Sequence, residues 1–360
     1  MITERPFCSI LHLSDTHLGS DFEDRGGKNR QFLSAMRKDR AYLMQAHDPN
    51  LLLLLPLELG RIARLNRDRF AKAWPDQSPL KFFDRVIVSG DISTDATDDD
   101  RFVFAHAFLT SETPLLSGVY AAQAAVGLNI SNDLLLTLPG NHDKMREATP
   151  ARFNRAFETS PERCNYFRAL RRNGKVIIFF VLDSNDYSEG NIAKGEIDSA
   201  RLSWLAKQLT LLNTGLTIGE ESFSADECFH AVKCLVLHHH VCDLSFRKRY
   251  FNLERSFTQM SGAESLLNLI AGKIHVIFHG HEHYPTHFIE PGSKAVLISA
   301  GTTSQWQGKP HKNSFYNVTF FTGNNIQIDE HVWDGKSFVT RQELKGEREP
   351  VRYKLPDLDG

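Results

Sequence analysis

The chain has 360 residues, 41% hydrophobic and 24% charged, the balance of a folded globular protein with room for one large domain or two ordinary ones. Its 42 Lys and Arg against 44 Asp and Glu leave a formal net charge of −2, so no global field favours a long polyanion such as nucleic acid. Five scattered cysteines without a CxxC pair argue against a secreted disulfide scaffold and for reduced thiols.

The first residues, Met1 to Pro6, lack the basic and apolar segments of a signal peptide. The greasiest run, 51–55, is cut by Pro56 and Glu58, far short of the ~20 residues a membrane-spanning helix needs. A cytoplasmic protein that does not cross a membrane is expected.

In chain order, the first apolar run, 9–13, leads into Ser14-Asp15-Thr16-His17. A strand-like backbone points Asp15 and His17 the same way, so a carboxylate and an imidazole can converge on one cation, a common pairing for first-row transition metals. Alone, the pair reads equally well as a solvated turn. Residues 21–80 follow, with helical spacing over 30–47, many Arg and Lys, and no catalytic-looking cluster. They are expected to form a helical insertion after the first strand, a surface hairpin or a lid.

The next run, 85–88, leads into Gly90-Asp91-Ile92-Ser93-Thr94-Asp95. The glycine permits a tight turn that sets Asp91 at the strand mouth, where its two oxygens could bridge two ions or cap a helix. A helical stretch at 99–109 precedes a strand at 134–138, which ends in Pro139-Gly140-Asn141-His142-Asp143. Asn141 offers a neutral oxygen ligand. His142, beside it, cannot easily reach the same ion and suits hydrogen bonding or proton donation near a substrate.

Helical spacing over 152–171, a strand at 176–182 and helical spacing over 198–212 come next. The strand at 233–237 runs into His238-His239-His240, and after helical spacing over 263–271 the strand at 274–278 runs into His279-Gly280-His281-Glu282-His283. Core histidines usually come singly, so these clusters favour a metal site. Shorter β-type runs then cover 286–290, 295–299, 314–321 and 326–333, broken by turn residues such as Pro291-Gly292. One main domain over 1–340 with a polar tail over 341–360 is expected. Arg25-Gly26-Gly27-Lys28 and Arg247-Lys248-Arg249-Tyr250 read as surface turns, and Trp306 as a packing residue.

Alternating strands and helices imply a layered α/β domain. Five polar clusters at the carboxyl ends of five strands meet along one sheet edge, where open α/β sheets bind ligands.

In this order, Asp-x-His, Gly-Asp, Gly-Asn-His-Asp, a strand ending in His and Gly-His-x-His resemble the motifs of the calcineurin-like metallophosphoesterases, from Cys8 to Thr303. The resemblance implies a four-layer αββα sandwich, two packed mixed β-sheets flanked by helices. It further implies two divalent or mixed-valence transition-metal ions, drawn from Mn, Fe, Zn, Co or Ni. Asp15, His17 and His283 would hold one ion, Asn141, His238 and His281 the other, with Asp91 between them and His239 the alternative to His238. Catalysis would rest on Asp91 and on His142 at the phosphate or leaving group, with Asn141, His142 and His239 lining the substrate and a metal-activated hydroxide attacking in line.

Purple acid phosphatases carry a metal-binding Tyr shortly after the second-cluster Asp, and Ile92 to Asp95 contains none. Protein Ser/Thr phosphatases carry Gly-Asp-x-x-Asp-Arg-Gly, and here Asp95 falls one position late with no Arg-Gly after it. The Gly90 to Asp95 segment, Val181-Leu182-Asp183-Ser184-Asn185 and the triple histidine are most similar to the cyclic-nucleotide and glycerophosphodiester phosphodiesterases. The expected activity is hydrolysis of a phosphodiester, or a phosphomonoester, of a small molecule or nucleotide. Two alternatives stand beside it: a nuclease of the double-strand-break-repair type, which the start Leu13 to Gly19 also resembles, and a non-catalytic metal-binding scaffold.

Overall fold

The computed structural model describes residues 6–18, 49–70, 83–93, 99–111, 127–144, 149–157, 165–187, 194–242, 260–281, 283, 285–304, 315–346 and 350–356. Its strands are β1 (Cys8–Leu13), β2 (Arg85–Ser89), β3 (Leu135–Leu138), β4 (Tyr166–Arg172), β5 (Lys175–Val181), β6 (Leu216–Ile218), β7 (Glu221–Phe223) and β8 (Val232–Val236). They continue with β9 (Val276–His279), β10 (Pro285–Ile289), β11 (Val296–Ala300), β12 (Phe315–Thr322), β13 (Asn325–Trp333), β14 (Phe338–Thr340) and β15 (Val351–Lys354). The helices are α1 (Pro49–Phe70), α2 (Asp99–Thr110), α3 (Thr149–Phe157), α4 (Ser199–Leu211), α5 (Ala225–His230), α6 (Ala263–Ile270) and α7 (Arg341–Lys345).

One sheet runs β14-β13-β12-β1-β2-β3, with β15 also paired to β13, and the other runs β10-β11-β9-β8-β5-β4. Strands β1, β2 and β3 are mutually parallel, as are β5, β8, β9 and β11. Antiparallel strands close the edges. Both sheets are therefore mixed.

The period of two along each strand divides its side chains between two cores. Cys8 and Ile10 of β1 face the second sheet, meeting Phe179, Val236 and Phe278, whereas Leu11 and Leu13 face the outer helices. In the second sheet Ile177, Phe179 and Val181 point inward, while Ile178 and Phe180 pack outward on Leu205 of α4 and Leu266 and Ile270 of α6. Strands buried on both faces must be apolar at nearly every position, which is why they read as continuous greasy runs. The resulting order is helices, sheet, sheet, helices, the expected four-layer sandwich.

The described part of the expected 21–80 insertion, α1, presents Leu52, Leu55, Leu59 and Ile62 at helical spacing to the outer core of the first sheet. Arg61 donates to the carbonyl of Phe338 at 2.6 Å. This stretch is a structural flanking helix; residues 21–48 and 71–80, including Arg25 to Lys28, lie outside the described residues. So do Asp95, Arg247 to Tyr250 and Trp306.

Two expectations need correction. Of the helical spacing over 152–171, residues 152–157 lie in α3, whereas Tyr166–Arg172 is a strand antiparallel to β5. The Asn173-Gly174 pair joining them takes φ of 50° and 73°, the backbone of a two-residue hairpin turn. Within 341–360, read as a polar tail, α7 is closed by a Thr340/Glu343 capping box and β15 pairs with β13. Alternate residues of β15 reach solvent, so it lacks the greasy run of a doubly buried strand. Among the described residues, no helix is long and apolar enough to cross a membrane, and the cysteines are free thiols.

Candidate metal centre

Each functional side chain sits one to five residues past the end of a strand, where the ladder stops and the backbone turns. Asp15, His17, Asp91, His281 and His283 all have φ between 45° and 71°. Left-handed backbone at a residue other than glycine costs of order 1–3 kcal/mol and persists where its surroundings enforce it. Its concentration at five residues of one rim marks a site built for position. Gly90 takes φ 93°, and a Cβ there would lie 2.4 Å from His238 Nδ1. Gly280 lets Ser14 approach so closely that a Cβ would overlap its hydroxyl.

Candidate donor atoms of Asp15, His17, Asp91 and His283 lie within 4.8 Å of one another, and those of His238, His239 and His281 form a second such group. Asp91 connects them, with Oδ2 4.0 Å from His17 Nε2 and 3.5 Å from His238 Nε2. Asn141 Oδ1 lies 3.0 Å from His238 Nε2 and 2.9 Å from His281 Nδ1. His283 Nε2 is 3.1 Å from Asp15 Oδ1. His142 is half-buried at the rim, with its ring 4.8 Å from that of His17 and its backbone N–H donating to Asp91 Oδ1 at 2.8 Å. All nine residues singled out from the sequence thus converge.

The ring orientation of His238 follows from its partner. Its Nδ1 lies 2.7 Å from the carbonyl oxygen of Ser89, which can only accept, so Nδ1 carries a proton and Nε2 faces Asn141 and Asp91. Burial disfavours charge on this ring, yet Asp91 outweighs it and raises His238 to about 9. Burial likewise pushes the Asp91 carboxyl up, but His238, His142 and His17 together hold it well below the usual carboxylate range. Burial and the neighbouring histidines push His281 and His239 well below the ordinary histidine value.

This donor set fits cations. Two carboxylates and several imidazoles converge in a buried space, and His281 Nε2 has no hydrogen-bond partner among the described residues. An orphaned buried nitrogen is costly unless something binds it. Mixed N and O donors suit first-row transition metals.

Supporting residues assigned no role from the sequence surround the donors. Ser14 Oγ donates to Asp15 Oδ2 at 2.6 Å. Thr302 Oγ1 and Thr303 Oγ1 donate to the carbonyls of Asp15 and Ser14. Asp143 is wholly buried and accepts from the backbone N–H groups of Gly140, Ile92 and Ser93 and from Ser93 Oγ, all at 2.8–2.9 Å. It clips the Asp91 loop to the Asn141 turn. The Gly301-Thr302-Thr303-Ser304 segment after β11 carries the same signal as the other clusters, polar residues at the end of an apolar run.

A family model described as calcineurin-like phosphoesterase matches residues 8–285. No curated protein matches the sequence. Among solved structures, a dimetal phosphatase from Danio rerio is 13% identical, covering 93% of this chain and 98% of its own at a TM-score of 0.49. GAP50, described as the anchor in the inner membrane complex of Plasmodium, is 12% identical, covering 97% of this chain and 88% of its own at a TM-score of 0.46. At these scores neither likeness bears on substrate or partner.

Proposed function

The chain belongs to the calcineurin-like phosphoesterases, and on that footing we propose that it is a two-metal hydrolase acting on a phosphodiester of a small molecule or nucleotide. The observation that carries this reading is Asp91, whose carboxylate stands between two donor groups and within 4.0 Å of a histidine from each. Asp15, His17, His283 and Asp91 would hold one ion, and Asn141, His238, His281 and Asp91 the other. His238 is favoured over His239 as the ligand because its Nδ1 proton leaves Nε2 with a lone pair once the ring is neutral. Two such cations, when bound, acidify a water and neutralise charge developing on the phosphoryl oxygens.

The protein's own groups set the geometry around that chemistry. Asp15 is oriented by Ser14 Oγ and by the backbone N–H of His281 at 3.1 Å. Half-buried His142, beside Asn141 at the rim, suits contact with a phosphoryl oxygen or proton donation to the leaving oxygen. Preference for a diester rests on the Gly90 to Asp95 and Asp183-Ser184-Asn185 segments and the histidine run. The test is hydrolysis of mono- and bis-(p-nitrophenyl) phosphate with added Mn²⁺ and with chelator. Faster turnover of the diester, abolished by chelator, is expected; no turnover of either ester with any first-row metal would sink the proposal.

A further inference from the structure

His239 is wholly buried, its ring 4.9 Å from that of His238 and 4.5 Å from that of His281. Gly195 makes room for it, since a Cβ there would lie 2.5 Å from His239 Cγ. Its environment differs from that of His238 in one decisive respect. Where His238 Nδ1 meets a carbonyl oxygen, His239 Nδ1 meets the hydroxyl of Ser184 at 2.9 Å.

That hydroxyl is already committed. Ser184 Oγ accepts the backbone N–H of His238 at 3.2 Å and of His239 at 3.1 Å, which uses both of its lone pairs. Its own proton has one remaining destination among the described residues, His239 Nδ1. Nδ1 is therefore an acceptor, and the ring proton sits on Nε2. A neutral imidazole protonated at Nε2 has no lone pair there to give a cation. Nor does the ring find a partner: His239 Nε2 is buried and has no hydrogen-bond acceptor among the described residues.

From this network we propose that His239 is not a metal ligand but a hydrogen-bond donor, its Nε2–H held toward the cation site by Ser184 to donate to an oxygen of a phosphate or phosphate ester. Ser184 is the positioning residue. The assignment rests on the phosphoesterase reading for the identity of the acceptor, and on the hydrogen-bond network alone for the tautomer. Adjacent histidines thus divide the work: His238 turns a lone pair to the cation and His239 turns a proton to the anion.

The test begins on the full chain labelled with ¹⁵N-histidine and stripped of metal. Long-range ¹H–¹⁵N spectra report each ring's tautomer, and the signals lost in His239→Gln identify this one. A proton on Nε2 is expected; a proton on Nδ1 overturns the proposal. In Ser184→Ala the Nδ1-protonated form should appear, and an unchanged spectrum removes the role of Ser184. After loading with Mn²⁺, wild type, His239→Leu and His239→Gln should bind the same amount of metal. Inorganic phosphate should bind at least about tenfold more weakly to His239→Leu, the loss of a hydrogen bond to a charged group. His239→Gln should recover most of the affinity, because its amide nitrogen can stand near the Nε2 position. Metal loss in both variants would make His239 a ligand and overturn the proposal, as would equal phosphate affinity in all three. If the phosphate pattern holds but the wild type hydrolyses no aryl phosphate, the donor assignment is supported and the hydrolase reading alone fails.

Discussion

Replacing Asp143 tests whether the centre is held by a buried clip. Its carboxylate receives three backbone N–H groups, from Gly140, Ile92 and Ser93, together with Ser93 Oγ. Burial and the nearby Asp91 raise its pKa to about 6, so it is ionised at pH 7.5. Asp143→Ala strands three buried donors, each costing about 1–3 kcal/mol unless water enters, so a total loss of roughly 3–9 kcal/mol is expected. Asp143→Asn keeps one carbonyl oxygen and turns an NH₂ toward donors on the other side, for a loss of about 1–3 kcal/mol. Denaturant unfolding at pH 7.5 in chelator measures both, because bound metal would raise the apparent stability of each protein. Metal affinity should fall with stability, since the Ile92 and Ser93 N–H groups fix the loop bearing Asp91. If both variants unfold within about 0.5 kcal/mol of wild type, the clip is not what holds the loop.

Asp91→Asn should lower metal content at both sites, because one carboxylate serves both donor groups; elemental analysis showing two ions per chain would contradict the bridging role. His142→Gln should keep full metal content while kcat for an aryl phosphate falls about 10²–10⁴-fold, the usual range for a lost proton-transfer group. Gly90→Ala should cost more than about 2 kcal/mol and reduce metal content, since it combines a φ of 93° with a Cβ 2.4 Å from His238 Nδ1. On the acid side, burial and then Lys233 lower His275 to about 4, and its Nδ1 accepts the backbone N–H of Lys233 at 2.9 Å. The unfolded chain binds this proton first, so the stability it contributes is present above about 6.5 and is lost as pH falls toward 4, up to about 3 kcal/mol. Urea midpoints from pH 7 to 4 should fall less steeply in His275→Asn, and an equal slope would refute the assignment.

The fold was legible where one face of a strand or helix determines its composition. Doubly buried β1, β2, β5, β8 and β9 are greasy runs, and α2, α4 and α6 show their spacing in the sequence, so their places were found to within a residue or two. Strand β4 was missed because Tyr166 to Arg172 mixes buried and exposed positions without strict alternation, although Asn173-Gly174 offered the hairpin signal. Strand β15 was missed because an edge strand that exposes one face resembles a polar tail.

Sequence by itself determined which residues could carry the chemistry, since donor types at the ends of apolar runs follow from composition and strand periodicity. It left His238 and His239 interchangeable and said nothing of the work done by Asp143, Ser184 or Thr303. Only the tertiary structure gives these residues their distinct hydrogen-bond partners. Asp143 finds Ile92 across 51 positions, Ser184 finds His239 across 55, and Thr303 finds Ser14 across 289. Hydrogen bonds of that range leave no periodic trace in a chain, and whether an imidazole offers a lone pair or a proton depends on the partner that folding brings to its other nitrogen.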